Sequence, residues 1–153
     1  MKKWRQRLLV FGIFVTLSLA VISVFRFIMN DQLNTEAKAG NLPAMQTLLR
    51  QGAGVEGWSI HFKTPLMSAA EGGSGVAVSF LLAQGADMNA HNDSRSVLMW
   101  AATSGNVGVI RLLIASGADV NWHSATDNTA LQTANEYKQP AIAKMLQLAG
   151  ARN

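Results

Sequence analysis

Two different rhythms of apolar residues divide the chain. Residues 8–25 are an unbroken uncharged run of eighteen positions, thirteen of them Leu, Ile, Val or Phe. As a helix this run spans roughly 27 Å, close to the hydrocarbon thickness of a bilayer. Beyond Asp31 the apolar residues come instead in short bursts at helical spacing, each broken by glycine. Val107, Val109, Ile110, Leu112, Leu113 and Ile114 form one such burst, and Leu98, Met99 and Ala101 another. The pattern predicts pairs of short helices, with Leu66, Leu81, Leu98, Leu113, Leu131 and Leu146 in the core.

The bursts repeat. Leu48-Leu49-Arg50-Gln51-Gly52-Ala53 aligns with Leu81-Leu82-Ala83-Gln84-Gly85-Ala86, with Leu113-Ile114-Ala115-Ser116-Gly117-Ala118 and with Leu146-Gln147-Leu148-Ala149-Gly150-Ala151. A second series, Gly40, Gly73 and Gly105, precedes the first three of these glycines at a constant offset, and Lys138 fills that place in the fourth unit. Thr64-Pro65, Ser96-Val97 and Thr129-Ala130 supply a capping hydroxyl, with proline in the first case at the first helical position. Thr129 with Gln132 is a candidate capping box. Gly73, Gly105 and Gly117 close helices, because glycine adopts positive φ without a steric penalty.

Thr64-Pro65-Leu66-Met67-Ser68-Ala69-Ala70, Gly85-Ala86-Asp87-Met88-Asn89 and Gly117-Ala118-Asp119-Val120-Asn121 carry a resemblance to the ankyrin repeat over residues 31–153. It implies an all-α solenoid of about four helix-turn-helix units, near 31–57, 58–90, 91–124 and 125–153, the outer two acting as caps. The family's usual His in Thr-Pro-Leu-His is Met67, Met99 and Gln132 here. Cohesion between units is therefore expected to lean on apolar packing rather than on that histidine.

Charge sharpens the division. Residues 1–30 hold Lys2, Lys3, Arg5, Arg7 and Arg26 and no acid, while the rest holds 8 basic and 9 acidic side chains. The pI of about 9.9 thus describes the head of the chain. A nucleic-acid partner, which needs basic side chains on the folded surface, is excluded. Residues 1–7 are expected to be a cytoplasmic head and 8–29 a single membrane-spanning signal-anchor, with more basic residues before it than after. The run exceeds a signal peptide's apolar core, its end at residues 23–28 offers no small-x-small cleavage site, and the Ala-x-Ala match at Ala37-Lys38-Ala39 lies inside the first repeat. The expectation is an inner-membrane protein of a bacterium with its repeat domain in the periplasm; a cleaved leader and a soluble periplasmic domain is the lesser alternative. Gly12, Thr16 and Ala20 form a small-residue ridge of the kind that lets such helices associate, though lipid-facing small residues explain it more simply.

No catalytic constellation stands out. With no cysteine there is no thiolate nucleophile or thiolate metal site. His91 and His123 each lie six residues after a repeat glycine and so belong to different units, and His61 lacks further ligands; no metal or cofactor is expected. Asp87 and Asp119 occupy one loop position twice, which is turn chemistry. Asn92-Asp93-Ser94 matches a glycosylation acceptor by chance. The expected work is holding a protein partner: by the resemblance, ankyrin domains bind through the inner face of their first helices and their loop tips. Thr35, Ser68, Trp100 and Thr133 share one rung of that face, which is expected to be a surface rung. Trp58, His91 and His123 share the loop tips, with Trp122 beside the last. Glu71, Thr103, Ser104, Glu136 and Tyr137 close the first helices. Trp58, Trp100, Trp122 and Tyr137 are the candidate anchors, because large aromatics dominate interface energetics, and Arg95 is the candidate polar contact. Packing against a neighbouring unit is the competing role for the tryptophans. The functional readings are a membrane-tethered interaction module, an immunity or inhibitor protein against a secreted toxin or effector enzyme, and a structural or assembly subunit of a membrane complex.

Overall fold

In the computed structural model the backbone is described for residues 2–152 and the side chains for residues 18–152. The described chain holds eight helices and no strand. They are α1 (Lys2–Ala39), α2 (Leu42–Arg50), α3 (Pro65–Glu71), α4 (Gly75–Ala83), α5 (Val97–Ser104), α6 (Val107–Ala115), α7 (Ala130–Glu136) and α8 (Pro140–Leu148).

Local chemistry sets these bounds. Thr64, Ser96 and Thr129 accept the backbone N–H of Met67, Met99 and Gln132, capping α3, α5 and α7, and Gln132 completes the capping box by accepting from Thr129 N–H. Ser74 and Asn106 cap α4 and α6 in the same way. After α7 the left-handed position held by Gly40, Gly73 and Gly105 in the other units falls to Lys138, at φ 54°. A lysine there carries a strain that glycine avoids.

Odd-numbered helices stack on one another as one layer, even-numbered helices as a second, and each pair joins across the layers. Leu33, Leu66, Leu98 and Leu131 run through the first layer, with Leu81, Leu113 and Leu146 in the second, all buried. Met67 and Met99, in the place of the family's histidine, are fully buried and apolar.

Polar ties nonetheless join the units. Glu56, Asn89 and Asn121 lie four residues after Gly52, Gly85 and Gly117, and each side chain accepts a backbone N–H of the following unit, from Asp87 (2.8 Å), Asp119 (2.8 Å) and Arg152 (2.9 Å). Asp87 and Asp119 in turn accept the N–H of Asn89 and Asn121, a turn role.

Helix α1 changes surroundings along its length. Met29, Leu33 and Ala37 are buried against the repeats, whereas residues 18–28 are exposed all round, Leu19, Val21, Ile22, Val24 and Phe25 included. Residues 8–17 of the expected span, and with them Gly12 and Thr16 of the ridge, lie outside the residues whose side chains are described. Among the described residues no helix is long and apolar enough to cross a membrane.

Candidate protein-binding face

The inner layer and the loop tips bound a groove of about 200 Å³, lined by Asp31, Asn34, Lys38, Ser59, His61, Lys63 and Glu71 among others. Lys63 precedes the capping Thr64 as Arg95 precedes Ser96, so the two cations hold one position in successive units. Both turn toward Trp100. Lys63 Nζ lies 3.8 Å from the centre of the Trp100 ring system and the Arg95 guanidinium 4.8 Å. Arg95 also faces the Tyr137 ring at 5.9 Å, with Nη2 at 3.5 Å from the hydroxyl. A cation over an aromatic face is held by the ring quadrupole, and indole is the strongest host.

Glu71 fixes the other side of this chain of contacts. It accepts from Lys63 at 2.8 Å and Lys38 at 3.0 Å. Burial pushes its carboxyl up, but the hydrogen bonds and charges of Lys63 and Lys38 outweigh this and hold it below the ordinary carboxylate value. Lys63 is thereby pinned between a carboxylate and an indole. Arg95 has no carboxylate partner among the described residues.

In the rung of Trp100 only Thr35 is an exposed surface residue. Ser68 and Thr133 are buried, Ser68 donating to Asn34 Oδ1 at 2.7 Å and Thr133 to the Thr129 carbonyl at 2.9 Å. Trp100 is half-buried and rests on the core, with its Nε1 buried and no acceptor in reach. An indole stands where the units on either side have a hydroxyl, and Lys63, which lines the groove, covers its ring.

Other expected residues separate into groups. His91 and Trp122 stack with ring centres 4.9 Å apart, and Trp122 packs on the core, while Trp58 lines a surface hollow at the tips with His61, Phe62 and His91. Thr103 and Ser104 donate to the carbonyls of Trp100 and Ala101 and serve the end of α5. His123 is exposed, 3.5 Å from Asp127, and Glu136 is exposed on a shallow surface beside Thr126 and Asp127. Sequence reasoning missed Lys63, Lys38 and Asn34. Lys63 was findable, because the alignment that singles out Arg95 puts Lys63 at the same place.

Among the described residues no three His, Asp or Glu side chains gather to hold a metal. A family model of ankyrin repeats, three copies, matches residues 33–124 and 93–153. The chain belongs to the ankyrin-repeat family. Comparison with curated proteins finds no match. Ankyrin repeats typically serve as non-enzymatic protein-binding scaffolds, and a protein-protein interaction module is the function this membership supports.

Proposed function

We propose that the domain binds a partner protein on the inner face around Trp100, beside the groove, while α1 tethers it to a membrane. The observation that carries the binding reading is the Lys63–Trp100–Arg95–Tyr137 series. Two cations and two aromatics are already ordered at one place, so a partner freezes few rotors on docking. Arg95, without a carboxylate of its own, suits a partner segment that sets an acidic side chain beside an apolar one, the pairing that guanidinium recognises through two parallel hydrogen bonds. Tethering is supported by the uncharged run of residues 8–25 and by the all-round exposure of its described part. The greater number of basic residues ahead of the run favours a cytoplasmic N-terminus, and hence a periplasmic domain in a bacterium.

The test is a pull-down of the tagged full-length protein from the membranes of cells that make it, beside a variant carrying Arg95→Ala and Tyr137→Ala. A stoichiometric protein retained by the native chain and lost from the variant supports the reading. Equal recovery with both overturns the groove assignment. If the retained protein is an enzyme or toxin that loses activity in the complex, the domain is an inhibitor or immunity protein; if it stays active, the domain is a scaffold or assembly subunit.

A further inference from the structure

The loop tip between the first and second units carries apolar side chains that the fold does not use. Trp58, Ile60 and Phe62 are 43%, 55% and 73% exposed. Ser59, His61 and Lys63, the residues between and after them, line the groove. Residues 59–63 form a tight turn, Phe62 N–H donating to the Ser59 carbonyl and Ser59 N–H to the Lys63 carbonyl. Trp58 and Phe62 open from it onto a separate hollow beside His91, and neither they nor Ile60 line the groove.

The level of the tip follows from pairings along α1. Ile60 N–H donates to Asp31 at 3.1 Å, Ser68 to Asn34, and Lys38 pairs with Glu71, in ascending order on both elements. So α1 and α3 run parallel, and the tip, which enters α3, lies at the level where α1 leaves the repeats. Everything in α1 before Asn30 continues past the tip. That continuation is residues 18–28, exposed and apolar, with Arg26 reaching back toward Gly54 of the same loop.

Three observations commit the tip to one occupant. Its exposed apolar side chains lie at the level of Asp31, just where the exposed apolar part of α1 ends. The corresponding tips farther from α1 expose no large apolar side chain: they hold His91 and Asp93 in one and His123 and Asp127 in the other, where Trp122 packs on the core. Phe62 adopts φ 53° where the third tip has Asp127 at φ 56°; an aspartate tolerates that conformation, whereas a phenylalanine kept there and left in water serves no packing purpose.

We infer that Trp58, Ile60 and Phe62 insert into the lipid headgroup boundary of the membrane that α1 enters. They make a second contact that lays the loop tips along the bilayer and turns the groove away from it. Tryptophan and phenylalanine suit this layer because an apolar ring settles there beside polar groups, and the exposed Arg26 lies where phosphates would meet it. The inference rests on the tethering reading, so its test must report on α1 and on the tip separately.

The full-length chain is reconstituted into vesicles of phosphatidylcholine and phosphatidylglycerol with or without lipids brominated near the headgroup. One background carries Trp4→Phe, Trp100→Phe and Trp122→Phe, leaving Trp58 as the reporter. A second adds Trp58→Phe and Leu19→Trp, placing the reporter on α1. Circular dichroism confirms that both keep the native helix content. Both reporters are expected to shift to the blue and lose most of their emission to the brominated lipid. Restoring Trp122 alone, on a tip farther from α1, should give little quenching. If Leu19→Trp is quenched and Trp58 is not, the tether stands and the tip contact is overturned, leaving a protein as the tip's occupant. If neither is quenched, the tethering reading and this inference fall together.

Discussion

Helix α1 is one uninterrupted helix with two kinds of surface. From Met29 to Ala37 it buries Met29, Leu33, Asn34 and Ala37, and lines the groove with Asp31, Asn34 and Lys38. From residue 18 to 28 every side chain is exposed although most are apolar. The lower half has a stripe and the upper half has none. A stripe at i, i+4 spacing specifies packing partners, here α3 and α2, whereas uniform hydrophobicity specifies only a solvent. The contrast makes the junction near Asn30, where its side chain accepts the Gly54 N–H, the place where protein packing stops.

The sharpest way to break this contrast is to remove the same kind of atoms from each half. Leu33→Ala leaves a cavity in a fully buried site and should cost about 2–5 kcal/mol in thermal or urea unfolding of the repeats. Val24→Ala should change that stability by less than about 0.5 kcal/mol, since its side chain touches no repeat. Comparable losses would show that the upper half packs on the domain after all.

Next in size is the close contact that seats α3 under the lower half. A methyl group on Gly72 would overlap the Lys38 carbonyl oxygen, and backbone cannot swing aside as a side chain can. Gly72→Ala should therefore cost about 1–3 kcal/mol, a loss of the overpacking kind. A neutral result would mean that the α1–α3 joint slides, and the parallel pairing that places the first tip would lose its support.

What the sequence disclosed follows the same line between stripe and solvent. Repeat glycines, capping hydroxyls and leucines are legible because each is fixed by local backbone geometry or by periodic burial. The Trp100 slot was not, because a small polar residue suits an open surface and a tight buried slot equally well; only packing shows that Ser68 and Thr133 fill the latter. Gly72 was equally silent, since it has φ −72° and no turn demands it, only a neighbouring carbonyl. The polar ties between units escaped notice because the missing histidine drew attention to apolar packing. Yet Glu56, Asn89 and Asn121 recur at the repeat period and could have been recognised as acceptors. The grouping of Lys63 and Arg95 on one indole depends on how adjacent units are offset, which no single-unit pattern encodes.

A smaller effect is expected at Glu71, whose partner Lys38 is the last charge of the docked half. Its carboxyl is lowered, so its contribution is present above the ordinary carboxylate range and lost as pH falls through the lowered value. Glu71→Gln should destabilise the protein near neutral pH by less than about 1 kcal/mol, as partly exposed ion pairs do. The difference from the native chain should close in acid. A pH-independent difference would mean that Glu71 acts by hydrogen bonding alone, and Lys63 would keep its place over Trp100 in the variant.

The smallest effect concerns Glu56, in the loop that leads from the first unit to the first tip. Loss of solvation pushes its carboxyl up, the Asp87 N–H it accepts pulls it down, and the nearby Asp87 charge adds to the rise, leaving it above its ordinary value. A group whose native state favours the proton contributes most in acid, and that contribution is lost as pH rises through the raised value. Asn89 and Asn121 do the same work in later units with a neutral amide and no repulsion from the turn aspartate. Glu56→Gln keeps an acceptor for Asp87 N–H and removes the charge. The variant should therefore equal the native chain in acid and exceed its stability slightly at neutral pH. If it is instead less stable at every pH, the amide's single oxygen serves Asp87 N–H less well than a carboxyl group does, and that loss outweighs the relief of repulsion. The first and second units would then be joined by a tie unlike those between the later units.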